Sequence, residues 1–326
     1  MVNNNLAQVN FISPIYDRIL RVEEVMRAQA DGHHSELASA LEHLLSSGGK
    51  RVRPAVALLT GVMLGAVPDS LVYLGASIEL LHTATLVHDD LIDGALLRRG
   101  IATLNAQWSP AATVLTGDFI FARAAKLAAE TNSVPVMKMF ALTLATIVNG
   151  ELTQLFSSRG VANREEYYQR IYAKTASMFE LAAGAAALLS PVSDSMVEEM
   201  RGFGHAIGMA FQIVDDVLDF TGEQATLGKP VASDLRQGLI TLPALIYLES
   251  YPDDSEMRSV LDGHFISDER MDRLVSAIRK SGAIQQAMDE ARAFIDCALG
   301  KLKIAPPSRE REALEELARY IVERNL

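Results

Sequence analysis

Two stretches of the 326-residue chain concentrate carboxylates: His88-Asp89-Asp90-Leu91-Ile92-Asp93 and Asp215-Asp216-Val217-Leu218-Asp219. Both have the form DDxxD. On a helix, Asp89 and Asp93 stand one turn apart on one face, and so do Asp215 and Asp219. Like charges at that spacing cost roughly 0.3 kcal/mol per pair on an isolated helix. The apolar neighbours Leu86, Val87, Leu91, Ile92, Ile213, Val214, Val217 and Leu218 imply largely buried helices, where uncompensated charge costs far more. Something cationic must neutralise such clusters. If Asp is roughly one residue in twenty, two DDxxD motifs meet by chance in about one chain in a thousand. All-oxygen ligands select hard cations, and carboxylates that hold Mg²⁺ share it with substrate phosphates. A ferritin-like di-iron site would need Glu-x-x-His, which neither cluster has.

A phosphate partner needs cationic contacts of its own, and basic islands supply them. Gly48-Gly49-Lys50-Arg51-Val52-Arg53-Pro54 sets three basic residues in a glycine-opened turn entering a helix. Arg98-Arg99 follows the first cluster, and Lys174-Thr175 and Gly228-Lys229-Pro230 add two lysines. Singly, each reads as surface decoration. In a chain of net charge −11, beside the aspartates, they read together as anion sites. His82 lies seven residues before Asp89 on the same helical face, and Gln212 three residues before Asp215.

The elements that must position these groups are helices. Apolar residues recur at three- and four-residue spacing in Ile15–Ile19–Val22–Met26, Leu37–Leu41–Leu44–Leu45 and Leu71–Leu74–Ile78–Leu81. Ser109 before Pro110 reads as an N-cap, and Asn163 with Glu166 resembles a capping box. Leu181-Ala182-Ala183-Gly184-Ala185-Ala186-Ala187 suits close helix packing in a core or between subunits. The more charged segment Ser255–Leu326 reads as helices laid against the core from outside. With no repeat and no linker-like stretch, the expected architecture is all-α: one domain over residues 1–326, a single large helical bundle.

Composition narrows the class. Hydrophobic residues at 49% exclude a disordered chain, and aromatics at only 6% weigh against a β-sandwich. An excess of 41 acidic over 30 basic residues disfavours a nucleic-acid partner. The single cysteine, Cys297, cannot close an intrachain disulfide, and no basic-then-apolar leader opens the sequence, so a cytoplasmic location is expected. Uncharged, strongly apolar stretches such as Pro54–Pro68 fall short of about 18 residues, so no membrane span is expected.

With these motifs in hand, the sequence resembles the trans-isoprenyl diphosphate synthases, or polyprenyl synthetases, of the long-chain octaprenyl and solanesyl kind. The resemblance is carried by GGKRVRP at 48–54, HTATLVHDDLID at 82–93, RRG at 98–100, GD at 117–118, KT at 174–175, FQIVDDVLDF at 211–220, GKP at 228–230 and DLRQGLITLP at 234–243. It implies an isoprenoid-synthase bundle around a central cavity, working as a homodimer. It also implies condensation of isopentenyl diphosphate with an allylic prenyl diphosphate. By resemblance, Asp89, Asp93 and Asp215 would hold three Mg²⁺ ions, with Asp90, Asp216 and Asp219 supporting them. Arg98, Lys174, Thr175, Gln212 and Lys229 would contact the allylic diphosphate, and Lys50, Arg53, His82 and Arg99 the isopentenyl diphosphate. Asp118 would have a supporting role at most. Pyrophosphate would leave, the isopentenyl double bond would attack the allylic cation, and pyrophosphate would take the final proton. The chain departs from the family pattern at Leu239, where lysine is usual, and at Gly94-Ala95.

In that family, bulky residues four and five positions before the first motif stop chain growth early. Here these are Thr85 and Ala84, both small, which implies a long product of C30 to C50, as used for quinone side chains. Such a lipid product implies some membrane contact. Phe140, Leu144, Ile147, Glu151 and Gln154 share a helical face about 21 Å long, with Phe140 and Met137 as candidate floor residues. The alternatives are a geranylgeranyl or farnesylgeranyl synthase and a non-catalytic subunit of a heteromeric synthase. Two further enzyme classes are a terpene cyclase and an HD-type phosphohydrolase built on His88-Asp89.

Overall fold

The computed structural model describes residues 10–46, 49–98, 100–156, 163–222 and 231–324. Within them the chain is almost wholly helical, as the periodicity implies. The main helices are α1 (Tyr16–Arg27), α2 (Ser35–Ser46), α3 (Val52–Leu64), α4 (Pro68–Ile92), α5 (Leu104–Gln107), α6 (Pro110–Glu130), α7 (Val134–Phe156) and α8 (Arg164–Ile171). A π-helical turn (Tyr172–Ala176) leads into α9 (Ser177–Leu188), followed by α10 (Asp194–Thr221), α11 (Ser233–Arg236) and α12 (Leu242–Ser250). The chain continues through α13 (Ser255–Leu261), α14 (Asp268–Lys280), α15 (Ala283–Leu302) and α16 (Arg309–Glu323). One departure from the all-helical expectation is a two-stranded hairpin, β1 (Leu97–Arg98) against β2 (Ile101–Ala102), paired antiparallel with Arg98 opposite Ile101. Gly100, at φ +77°, supplies the left-handed backbone that so tight a reversal requires.

The chain divides into two compact units. The first comprises Met1–Thr143, Met178–Gly204 and Lys301–Leu317; the second comprises Leu144–Ser177, His205–Gly300 and Ala318–Leu326. In the first unit α4 packs against α1, α3 and α6. Apolar almost all round, α4 buries Leu71, Leu74, Ile78 and Leu81 together with most of its remaining surface. Ser77 donates to the Ala124 carbonyl at 2.8 Å and fastens α4 to α6. A small residue lets α10 pack closely on α9: a Cβ at Gly204 of α10 would come within 2.3 Å of the Phe179 carbonyl oxygen. Both expected N-caps form, with Ser109 accepting from the Ala112 N–H and Asn163 from the Glu166 N–H.

In the second unit Arg164 joins α8 to α12 and α15 through Glu249 (2.7 and 2.9 Å) and Glu290 (2.5 Å). α14 buries Met271, Leu274, Val275 and Ile278 while its charged residues face outward, the amphipathic pattern expected of this segment.

The expectation about membrane-length segments needs correction. Allowing two charges, α4 and α7 have the length and mean hydropathy (1.3 and 1.2) of a span. For α4 the apolar window is 72% buried, as befits a core helix; for α7 it is only 17% buried. Ala141, Ala145, Val148, Leu152 and Leu155 form an exposed apolar stripe along α7 at i, i+4, i+7, i+11 and i+14.

Candidate active site

The aspartate motifs occupy the ends of two long helices. Asp89 and Asp90 lie in the last turn of α4, and Asp93 is its C-cap, its N–H donating to the Asp89 carbonyl. Asp215, Asp216 and Asp219 lie in the last two turns of α10. A helix C-terminus carries the negative end of the macrodipole, so three carboxylates there compound an unfavourable field that cations relieve. The six side chains nevertheless divide into two kinds. Asp90, Asp216 and Asp219 are buried, whereas Asp89 and Asp215 are half-buried and Asp93 is exposed.

Each buried aspartate is committed to protein partners. Asp90 Oδ1 accepts from Arg98 Nε (2.9 Å) and Nη2 (2.8 Å), tying the hairpin to α4. Asp219 accepts from Ser233 Oγ (2.9 Å) and the Asp234 N–H (3.2 Å), which anchors α11. Asp216 accepts from Gln212 Nε2 (2.9 Å) and the Tyr167 hydroxyl (2.8 Å). Burial drives the Asp216 carboxyl up to about 7 against the pull of those two hydrogen bonds. Burial, then the Asp216 charge, holds the Tyr167 hydroxyl well above its ordinary range, so it stays a donor. Asp215 pairs with Arg324 at 2.7 Å, and that guanidinium also lies over the Phe211 ring and donates to the Phe211 carbonyl.

The basic turn before α3 separates by direction. Lys50 is exposed, and half-buried Arg53 has its guanidinium 4.9 Å from the Phe179 ring centre. Arg51 corrects the reading of three basic residues as one anion site. Its backbone is left-handed (φ 49°) and its side chain is only 6% exposed. It donates to Glu23 at 3.0 Å, Glu79 at 2.9 Å and the Leu45 carbonyl at 3.1 Å. Arg51 is therefore an internal clamp holding α1, α2 and α4.

On the π turn, Lys174 pairs with Glu151 of α7 at 2.9 Å, and Thr175 donates to Gln212 Oε1 at 2.6 Å. The structure thus brings Lys174, Thr175, Gln212 and Asp216 together in the second unit. Lys50, Arg53, His82, Asp89, Asp90, Asp93 and Arg98 belong to the first. Arg99, Lys229 and the Gly228-Lys229-Pro230 motif, with Gly48, lie outside the described residues. His82 is half-buried, and its carbonyl accepts from Thr85 Oγ1 at 2.7 Å. Ala84, Thr85 and Phe140 are buried.

Gly117 and Asp118 have a shared explanation. His88 packs so tightly on α6 that a Cβ at Gly117 would lie 2.2 Å from its Nε2. That nitrogen sits 3.2 Å from the Val114 carbonyl and 3.5 Å from Asp118. His88 is thus engaged with α6 through its Nε2. A cavity of ≈ 950 Å³ in the second unit is lined by Thr146, Asn149, Gly150, Thr153 and Gln154 of α7, with Leu239 also among its walls. Of the expected face only Gln154 lines it.

Residues 34–278 match the family model described as polyprenyl synthetase. The chain belongs to the polyprenyl synthetase family. It is a prenyltransferase with the all-α isoprenoid synthase fold, as the motifs imply. A polyprenyl synthase from Caulobacter crescentus, solved in complex with calcium and isoprenyl diphosphate, superposes with a TM-score of 0.90 at 35% identity, over 96% of this chain and 97% of that one. Heptaprenyl diphosphate synthase component 2 of Geobacillus stearothermophilus is 35% identical over 98% of each chain. Solanesyl-diphosphate synthase 2 of Oryza sativa subsp. japonica is 31% identical, over 99% of this chain and 81% of its own length.

Sequence reasoning missed Tyr167, Ser233 and Arg324, which touch the second motif from distant elements. No local pattern announces Arg324. Tyr167 lies seven residues before Lys174, which places it two turns back.

Proposed function

We propose that this polyprenyl synthetase elongates an allylic prenyl diphosphate with isopentenyl diphosphate, using Mg²⁺, to a trans-polyprenyl diphosphate of C30 to C50. The observation that carries the site assignment is the division among the aspartates. The three that are least buried, Asp89, Asp93 and Asp215, are the three the motifs assign to metal. Carboxylate oxygens at negative helix ends suit a hard cation. Carboxylates that hold Mg²⁺ commonly share it with substrate phosphate.

In this reading Lys174, Thr175 and Gln212, with Arg98 and Lys229, orient the allylic diphosphate, while Lys50, Arg53, His82 and Arg99 orient isopentenyl diphosphate. The allylic C–O bond breaks, pyrophosphate leaves with the bonding pair, and the isopentenyl double bond forms the new C–C bond. A proton then passes to pyrophosphate. Bound divalent cations supply charge neutralisation at the leaving diphosphate. The protein contributes orientation and a water-poor cavity wall around the cation.

Small, buried Ala84 and Thr85 on α4 support a long product, and Ala84→Phe is expected to shorten it. The apolar stripe on α7 supports a homodimer, and Leu152→Glu is expected to yield monomers in light scattering. A second reading comes from the Geobacillus relative, which by its name is one component of a synthase; this chain would then need a different partner chain.

The test incubates the full chain with Mg²⁺, labelled isopentenyl diphosphate and farnesyl or geranylgeranyl diphosphate, and resolves product lengths. A ladder ending at one long product is expected. Absence of transfer to every primer by the folded protein would overturn the reading for the chain alone.

A further inference from the structure

Tyr167 stands outside every motif assigned above, yet it begins a continuous hydrogen-bond relay within the second unit. Its hydroxyl donates to Asp216 Oδ2 at 2.8 Å. Asp216 Oδ1 accepts from Gln212 Nε2 at 2.9 Å, and Gln212 Oε1 accepts from Thr175 Oγ1 at 2.6 Å. The relay therefore fixes which end of the Gln212 amide faces Thr175. It ends on the π turn Tyr172–Ala176, which also carries Lys174, and π turns inside helices recur at functional positions. Tyr167 is itself held firmly. It is almost fully buried, and the Arg170 guanidinium lies 5.5 Å from its ring centre while donating to the Ile240 carbonyl.

We infer that Tyr167 is a positioning residue for the allylic diphosphate, acting through Asp216 and Gln212 to hold Thr175 and the π turn in binding geometry. This rests on the proposed transferase reading, because Gln212, Thr175 and Lys174 are its diphosphate contacts. Without the hydroxyl, Asp216 loses a donor, the Gln212 amide can rotate, and Thr175 loses its fixed acceptor. Lys50, Arg53 and His82, assigned to isopentenyl diphosphate, lie outside the elements that carry the relay.

The test compares the full-length protein with Tyr167→Phe, which removes one oxygen and keeps the buried ring. One lost hydrogen bond to a charged acceptor predicts a rise of about tenfold in KM for the allylic primer, with KM for isopentenyl diphosphate within about twofold of the parent. A merely structural tyrosine would not split the two constants in this way. A double-mutant cycle with Thr175→Val sharpens the result: members of one relay give a combined loss close to the larger single loss, whereas independent residues give the product. Unchanged primer KM, or multiplying losses, overturns the inference while parental transfer leaves the transferase reading intact. Absence of transfer by the parent defeats both. Should Tyr167→Phe melt below the assay temperature, the same constants are taken at a temperature where its near-ultraviolet dichroism is native.

Discussion

The two DDxxD motifs share a sequence pattern and differ in how the protein treats them. At the end of α4 only the middle residue, Asp90, is buried and neutralised, by Arg98 on the adjoining hairpin. At the end of α10 two of three are buried, one held by Tyr167 and Gln212 and the other by Ser233 and Asp234. The third, Asp215, already has a guanidinium partner. Identical spacing therefore leaves two carboxylates at least partly open in one motif, half-buried Asp89 and exposed Asp93, and one, half-buried Asp215, in the other. The rest of the second motif serves as scaffold for α11 and the π turn.

The comparison is tested most severely by activity. Asp89→Asn and Asp215→Asn are each expected to lower the transfer rate about a hundredfold or more, by analogy with the loss of a preorganised charge-stabilising group, as read in product assays at saturating substrate. Near-parental activity of Asp215→Asn would erase the asymmetry. Stability should show the opposite order. Asp219→Ala strands the Ser233 and Asp234 donors and is expected to cost about 2 kcal/mol in urea unfolding, while exposed Asp93→Ala should stay within about 0.5 kcal/mol of the parent.

Two smaller effects refine the picture. Arg324→Gln removes the competing cation at Asp215. The half-saturating Mg²⁺ concentration should fall by about twofold, with stability changed by less than about 1 kcal/mol because the pair is partly exposed. The last concerns pH, in magnesium-free buffer. The Asp216 carboxyl stands at about 7 when folded, above its unfolded range, so the folded state binds the extra proton. Its contribution is complete below the unfolded value and is lost as pH rises toward 7. The parent should thus lose melting temperature across that window more steeply than Asp216→Asn. Parallel curves would mean that Asp216 is not the group responsible.

Much of this was legible in the residues. Helix periodicity marked the core stripes of α1 and α4, Ser109 and Asn163 marked the N-caps of α6 and α8, and the aspartate spacing marked the motifs. All of these are local signals within one or two turns. The failures lie where distant residues decide. Nothing near Arg51 indicates that Glu23 and Glu79 draw it inward while its neighbour Lys50 stays outside. Tyr167 meets Asp216 across 49 residues of sequence. The apolar run in α7 suits a core helix as well as an exposed stripe, and burial distinguishes the two. The short hairpin at Leu97–Ala102 has too few residues to show an alternation.

Arg51 also bears on the order in which the molecule assembles. Both of its carboxylate partners lie 28 residues away, one on each side, so the clamp closes short loops. Arg324, by contrast, reaches Phe211 across 113 residues. Loop closure favours the nearer contacts, and a ribosome delivers them first. The first four helices can therefore knit around Arg51 during synthesis. The guanidinium at Asp215 arrives only after the whole intervening chain has emerged, and the second motif is the last to receive its counter-charge.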